Sequence, residues 1–257
     1  MMPSRQCAMV GALFAVALMG ASLARANNVT FTFERPSANR HQENTVEFEF
    51  RRNGNTERVQ AAIPPESSGG GKRDAIKSAL EAANFDVSTV GLTGLRIEGL
   101  PAGTEVRFEP GQTGEPRDTQ TATAATSGAF GFAGGLFNPI DSLGQPAVFT
   151  GGFITDLGEF TATVSAANLL MTDGFSITQA LYAQLLPQAS AAGASIVNGG
   201  DMLTVNFDPA YATGEVGVVF GTTSPSAGAF SSMSATPEPA SLGAVLLAAT
   251  TLLRRRL

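Results

Sequence analysis

The residues able to do chemistry are few and poorly spaced for it. His41 is the one histidine of the chain and stands in a polar stretch with Glu43 nearby. A histidine catalyses as part of a constellation, with a nucleophile in hydrogen-bond reach and a group that orients the ring, or as part of a metal shell. The sequence has no serine in a Gly-x-Ser-x-Gly setting and no His-Glu-x-x-His. His41 therefore reads as a solvated loop residue. Glu98, Glu105, Glu109 and Glu115 could supply the paired carboxylates of glycoside hydrolysis, one acting as acid and one as base or nucleophile. Such a site also needs aromatic platforms for the sugar, and the chain has no Trp and two Tyr. The four glutamates read as solvated strand faces.

Two glycine-rich stretches invite a ligand. Gly69-Gly70-Gly71-Lys72 precedes a helical pattern, as a phosphate-cradling loop does. It lacks the earlier glycine of that motif, and Arg73 stands where a Ser or Thr would hold magnesium; it reads as a flexible linker. Asn198-Gly199-Gly200-Asp201 has the composition of one calcium-binding glycine-aspartate repeat. Such repeats bind only when stacked, so a single copy reads as a hairpin turn. No catalytic residue, metal site or cofactor is expected.

The elements follow from periodicity. Val29 to Phe33 and Val46 to Phe50 alternate as half-buried strands do. Asn53-Gly54 then supplies a tight turn, with Glu57 to Ile63 returning. Ser67 to Gly71 breaks structure. Ile76, Ala79, Leu80 and Ala83 form the apolar stripe of a helix over Arg73 to Ala83, with Asp74 in its first turn. Leu95 to Ile97 and Thr104 to Phe108 read as a second hairpin. Later, Val148 to Ile154 and Phe160 to Ser165 flank Asp156-Leu157-Gly158. Ser176 with Gln179 forms a capping box opening a helix, which Pro187 ends. Ala194 to Val197 and Met202 to Phe207 flank the turn at Asn198 to Asp201. The fold class is α+β and strand-rich: antiparallel hairpins with two short helices.

Self-similarity suggests an internal duplication, hairpin-helix-hairpin twice, offset by about one hundred residues. Ile76, Ala79, Leu80 and Ala82 match Ile177, Ala180, Leu181 and Ala183. Val106, Phe108 and Pro110 match Val205, Phe207 and Pro209. Thr113-Gly114-Glu115 matches Thr213-Gly214-Glu215, and Gly128-Ala129-Phe130 matches Gly228-Ala229-Phe230. The expected organisation is a signal peptide over 1–26, a first repeat over 27–130, and a linker over 131–146 packed down by Phe132, Leu136, Phe137 and Ile140. A second repeat follows over 147–221, then a flexible stalk over 222–236 and a sorting tail over 237–257. One domain of two related halves is favoured, since either half is small for a core.

The two ends carry addresses. Arg5 precedes an apolar run from Cys7 to Gly20, and Ala24-Arg25-Ala26 is a small-x-small cleavage site. This is the pattern of a secretory signal peptide cut after Ala26. An uncleaved anchor is disfavoured, because the run is short and a cleavage site follows it. At the other end, Pro237-Glu238-Pro239 is followed by the apolar segment Leu242, Gly243, Ala244, Val245, Leu246, Leu247, Ala248, Ala249, Thr250, Thr251, Leu252 and Leu253. Arg254, Arg255 and Arg256 come next. Clustered arginines stay on the cytoplasmic side of a membrane. Twelve helical residues reach roughly 18 Å against a hydrocarbon core of about 30 Å, which suits a temporary stop. The tail resembles the PEP-CTERM sorting signal of bacterial exported proteins. The resemblance covers the tail alone. It implies recognition of Pro237, Glu238 and Pro239 by an exosortase-like membrane peptidase, cleavage nearby, and company with exopolysaccharide production.

Composition bounds the rest. Removal of Cys7 with the signal leaves no cysteine, which excludes disulfides and thiolate chemistry. Of 16 lysines and arginines, five lie in the two ends; the other eleven fall between Arg35 and Arg117, against twenty-one acidic residues once Glu238 is set aside. A body so acidic is a poor partner for nucleic acid. The expectation is an exported, non-enzymatic surface or matrix protein with a structural or interaction role, passed through the secretion machinery and held briefly at the inner membrane. The competing class is a secreted carbohydrate- or cation-binding module.

Overall fold

The computed structural model describes residues 27–33, 44–64, 67–109, 117–123, 125–133 and 135–235. The signal segment with Ala24 and Ala26, His41, Glu115 and the sorting tail lie outside the described residues. Residues 27–236 form one compact unit.

Among its described residues are fourteen strands and two α-helices. In chain order they are β1 (Asn27–Phe33), β2 (Asn44–Arg52), β3 (Asn55–Ile63), α1 (Gly69–Ala82), β4 (Asp86–Val90), β5 (Gly94–Leu100), β6 (Glu105–Glu109) and β7 (Asp118–Thr123). Then come β8 (Ala125–Ala133), β9 (Val148–Thr155), β10 (Gly158–Ser165), α2 (Gly174–Ala189), β11 (Ala194–Asn198), β12 (Met202–Phe207), β13 (Glu215–Thr222) and β14 (Gly228–Ala235). The fold is α+β and strand-rich, as the alternation predicts. Sheet I has the order β10-β9-β13-β7-β1-β5-β4 and sheet II the order β11-β12-β8-β14-β6-β2-β3. All pairings are antiparallel.

The sheets pack face to face on phenylalanine. Phe31 of sheet I meets Phe48 and Phe108 of sheet II at ring centroid distances of 5.2 and 5.3 Å, and Phe132 meets Phe149 edge-on at 5.4 Å. Each buried ring contributes about 1.5–3 kcal/mol of transfer energy, and with no disulfide this core must hold the sandwich. α1 lies against β3 and β4, the edge strands on one side of the two sheets. α2 lies against β10 and β11, the edges on the other side. The helices thus close both flanks of the core.

The two sheets share one plan. Exchanging β1–β7 for β8–β14, number for number, turns the order of sheet I into that of sheet II. The registers agree too: Phe31 stands opposite Leu95 and Gln120, as Phe130 stands opposite Leu203 and Ser231. A Cβ on Gly69 would strike the Phe33 carbonyl, and one on Gly174 the Phe132 carbonyl. Each half places four strands in one sheet and three in the other, so β7 pairs with β13 and β6 with β14. Gln120 and Ser231, which correspond, hydrogen-bond to each other between the sheets at 2.7 Å, and Gln120 also donates to the Val106 carbonyl at 2.8 Å.

Several expectations are corrected by this order. The residue matches read from the sequence join strands that do not correspond: β6 with β12, and β8 with its own neighbour β14. In the helices, Gly69 aligned on Gly174 sets Ile76 against Leu181 and Leu80 against Leu185, one turn from the sequence alignment. β5 and β6 are no hairpin, because Pro101 to Gly103 carries the chain from sheet I to sheet II; Gly103 has φ of 75° there. The true partner of β5 in a hairpin is β4. Gly131 to Ala133, expected in the linker, belong to β8. Of the four residues expected to pin that linker, Phe132 and Phe137 are buried while Leu136 and Ile140 are exposed. The stretch expected as a stalk holds β14, the central strand of sheet II.

The helices also start earlier than predicted. Ser68 caps α1 by accepting the Gly71 N–H at 3.1 Å. Gly69 to Gly71 form its first turn, because a side chain at Gly69 has no room beside Phe33 and Thr93. The triglycine is thus no flexible linker, and Asp74 falls in the second turn. α2 is capped by Asp173, which accepts the Ser176 N–H at 2.7 Å; Gln179 bonds to Asn198 instead of closing a capping box. Pro187 sits inside the last turn and the helix continues to Ala189.

Lys72 is fully buried. Its Nζ donates to Asp118 at 2.9 Å and lies 4.7 Å from the Phe33 ring centroid. The corresponding positions of the second half are apolar, Ile177 and Ala229. A buried pair seldom outperforms packed apolar groups, whereas stranding one partner costs about 3–5 kcal/mol. Asp118→Ala is accordingly expected to lower unfolding stability by about that amount. Lys72→Met combined with Asp118→Ala is expected to be more stable than Asp118→Ala alone, as denaturant melts of the three proteins would show; a double variant weaker than the single one would refute this.

Candidate functional site

A depression of 280 Å³ opens on the outer face of sheet II. Its floor comes from β8 and β14, at the centre of the sheet, where Ser127 stands opposite Ser234 and Ala129 opposite Ser232. The neighbouring outward positions of β2 and β6 carry the long side chains of Arg51, Glu105 and Arg107, so four small ones in a block beside them leave a hollow. Met202 and Thr204 of β12 form one wall. Arg51, Glu105 and Arg107 of β2 and β6 form the other, and Phe230 closes one end.

The charged wall is tied down. The Arg107 guanidinium lies over the Phe230 ring at 4.7 Å and pairs with Glu109 at 2.6 Å, while its Nε is buried without a partner. Arg51 reaches Glu49 at 2.6 Å and Glu105 at 4.0 Å. Arg58 also pairs with Glu49, at 3.2 Å. Burial pushes the Glu49 carboxyl up, but the hydrogen bonds and charges of Arg51 and Arg58 outweigh it and hold the group below its usual range; the bond to Glu49 raises Arg51. The wall therefore presents donors and acceptors with little uncompensated positive charge.

The corresponding place on sheet I is shut. There the row reads Arg96, Thr30, Thr121, and Arg96 stretches across it to Glu215 at 2.7 Å. Arg96 donates to Thr30 Oγ1 on the way, and Thr121 donates to Glu215. By register the same row on sheet II reads Thr204, Ala129, Ser232, with Glu105 in the place of Glu215. The acid is kept, the arginine that would span the face is replaced by threonine, and the hollow is what remains.

Sequence-predicted residues fall apart in space. Glu98 lies on sheet I, bonded to Ser88, whereas Glu105 and Glu109 lie on sheet II. Lys72 is engaged in the core. Asn198 to Asp201 is the β11–β12 turn, where the Asn198 side chain accepts the Gly200 N–H at 2.9 Å. Among the described residues no cluster of three or more His, Cys, Asp or Glu could hold a metal ion, and no helix is long and apolar enough to cross a membrane. Sequence reading missed the depression because its floor is serine and alanine, residues without a chemical signature of their own. The available signal was Arg107 and Phe230 flanking unread strands.

No protein-family model and no curated protein matches the chain. Among solved structures it is similar to the flagellar cap protein FliD from Helicobacter pylori, at 14% identity over 72% of this chain and 51% of that one, TM-score 0.23. The FliD D1-D2-D3 domains from Escherichia coli give 13% identity over 78% and 48%, TM-score 0.25. The N-terminal domain of the Streptococcus gordonii adhesin Sgo0707 gives 9% over 87% and 51%, TM-score 0.17. The chain spans about half the length of these structures.

Asp156 and Asp173 are engaged by donors of the body itself. Asp156 accepts from the hydroxyl and N–H of Thr213, at 2.7 and 2.8 Å, and from the Gly214 N–H at 3.1 Å. These bonds, the Thr213 hydroxyl first, hold its carboxyl below the usual range. The Ser176 N–H does the same for Asp173 at the head of α2. A carboxylate with a depressed folded pKa stabilises fully above its unfolded value, near 3.9, and loses that contribution as pH falls through the folded one. Thermal melts at pH 7 and pH 3 are expected to show a smaller acid-induced drop for Asp173→Ala than for the wild type; equal drops would remove Asp173 from the acid response.

Proposed function

We propose that this is an exported surface or matrix protein whose body has a structural or interaction role and is not catalytic. The secretion machinery would take it across the inner membrane through its first 26 residues. The tail would hold it there until an exosortase-like peptidase acts at Pro237, Glu238 and Pro239, leaving the body at the cell surface or outside, in company with exopolysaccharide.

The observation that supports this reading best is where the chain enters and leaves the sandwich. Val29 pairs with Ala122 near the end of β7, and Ala235 pairs with Ala125 at the start of β8. Ala122, Thr123 and Ala125 lie at one end of the sandwich, so β1 begins and β14 ends at that end. A tail engaged with a membrane would then leave the outer faces of both sheets and the opposite end accessible. A second reading, a secreted carbohydrate- or cation-binding module, gains from the depression on sheet II in its carbohydrate form. Mass spectrometry of the protein from its native cells is expected to find Asn27 as the mature amino terminus and a carboxyl terminus close to Pro237-Glu238-Pro239. An intact Arg254 to Arg256 in the surface fraction would contradict sorting.

A further inference from the structure

We infer that the depression on sheet II is a binding site for a neutral, polyhydroxylated ring: one saccharide unit. Its failure would leave the proposed export and sorting untouched, since nothing in it depends on the tail.

The comparison within the molecule carries the argument. Sheet I and sheet II follow one plan, and at one row of that plan sheet I is sealed by Arg96 spanning to Glu215. Sheet II keeps the acid as Glu105 but has Thr204 for the arginine and Ala129 for Thr30. Along the same row Ser232 stands for Thr121 and Arg107 for Gly217, so the spanning arginine is gone from one end and a shorter-reaching one, tied to Glu109, stands at the other.

The chemistry of the hollow selects the ligand. Ser127, Ser232, Ser234 and Thr204 are half-buried there, and each hydroxyl can donate one hydrogen bond and accept two. Directly opposed side chains on neighbouring strands stand about 4.5–5.5 Å apart at Cβ, so Ser127 and Ser234 offer a pair of hydroxyls side by side to one ring. Ala129, Met202 and Phe230 supply apolar surface for ring C–H groups. Arg51, Glu105 and Arg107 offer donors and acceptors at the rim. An anion is disfavoured because both arginines already face carboxylates, Arg51 with Glu49 and Glu105 and Arg107 with Glu109. A bare cation is disfavoured because those carboxylates are held by arginine. Ligand pockets for drug-sized molecules run from about 300 Å³ upward; at 280 Å³ this one suits a single ring.

The test is saturation-transfer NMR on the protein from its native cells with methyl glycosides of glucose, mannose and galactose, and with galacturonate as the charged control. At least one neutral glycoside is expected to bind saturably, ahead of galacturonate. Thr204→Arg, which restores the spanning arginine opposite Glu105, is expected to weaken it by about tenfold or more, a loss of about 1.4 kcal/mol. Ser232→Leu, which fills the floor, is expected to do the same. Thr121→Leu, at the corresponding position of sheet I, is expected to bind as the wild type does, with melting curves showing that all three variants are folded. Absence of binding by every neutral glycoside, galacturonate binding alone, or wild-type affinity in both Thr204→Arg and Ser232→Leu would overturn the inference.

Discussion

Everything in this sandwich depends on two seams, β7 against β13 in sheet I and β6 against β14 in sheet II. A strand exposes a row of N–H and C=O groups along each edge, and inside a folded body these must be paired. Neither half of the chain can pair its own innermost strands. The first half leaves one edge of β7 and one of β6 open, and the second half leaves β13 and β14 in the same state. The halves therefore complete each other, and the phenylalanine core is assembled from both.

That constraint explains how the remaining parts are used. The seams occupy the middle, so each sheet's loose edges fall at its flanks, where α1 and α2 fill the gap between the sheets. The turn glycines Gly69 and Gly174 let both helices press their first turns onto strand carbonyls. Gln120 crosses the core where corresponding strands meet, accepting from Ser231 and donating to the Val106 carbonyl. With edges, flanks and interior committed to holding shape, the outer faces are where the two halves are free to differ. They differ in kind: sheet I wears threonines bridged by an ion pair, and sheet II bears arginine–glutamate pairs around a hollow.

Three of the four outer hairpins were legible in the sequence; β4–β5 and the centre were not. β2–β3, β9–β10 and β11–β12 announce themselves through alternating apolar residues around Asn-Gly, Asp-Leu-Gly or Asn-Gly-Gly-Asp turns. The central strands β7, β8 and β14 are Thr, Ser, Ala and Gly at most outward positions and so lack the contrast between large apolar and charged residues that marks a strand. Such strands resemble loops or stalks when read by hydropathy, and strand preference is set by context more than by residue type. The cap of α1 was hidden by its three glycines, which look like a break and serve as a close-packed first turn. Strand exchange between sheets cannot be read from spacing at all: Leu100 to Thr104 is as short as a hairpin loop but changes layer. The seven-strand correspondence is the relation a duplicated unit would leave. The residue identities between the two halves of the sequence join strands that do not correspond, so they are not its trace.

Native-state hydrogen exchange on the intact protein addresses the interlocked halves most directly. The amides of β6, β7, β13 and β14 are predicted to exchange together in the slowest class, through global unfolding, because opening either half breaks both seams. Protection that divides by half, with the strands of residues 27–123 exchanging as one faster unit while those of 125–235 stay protected, would contradict it.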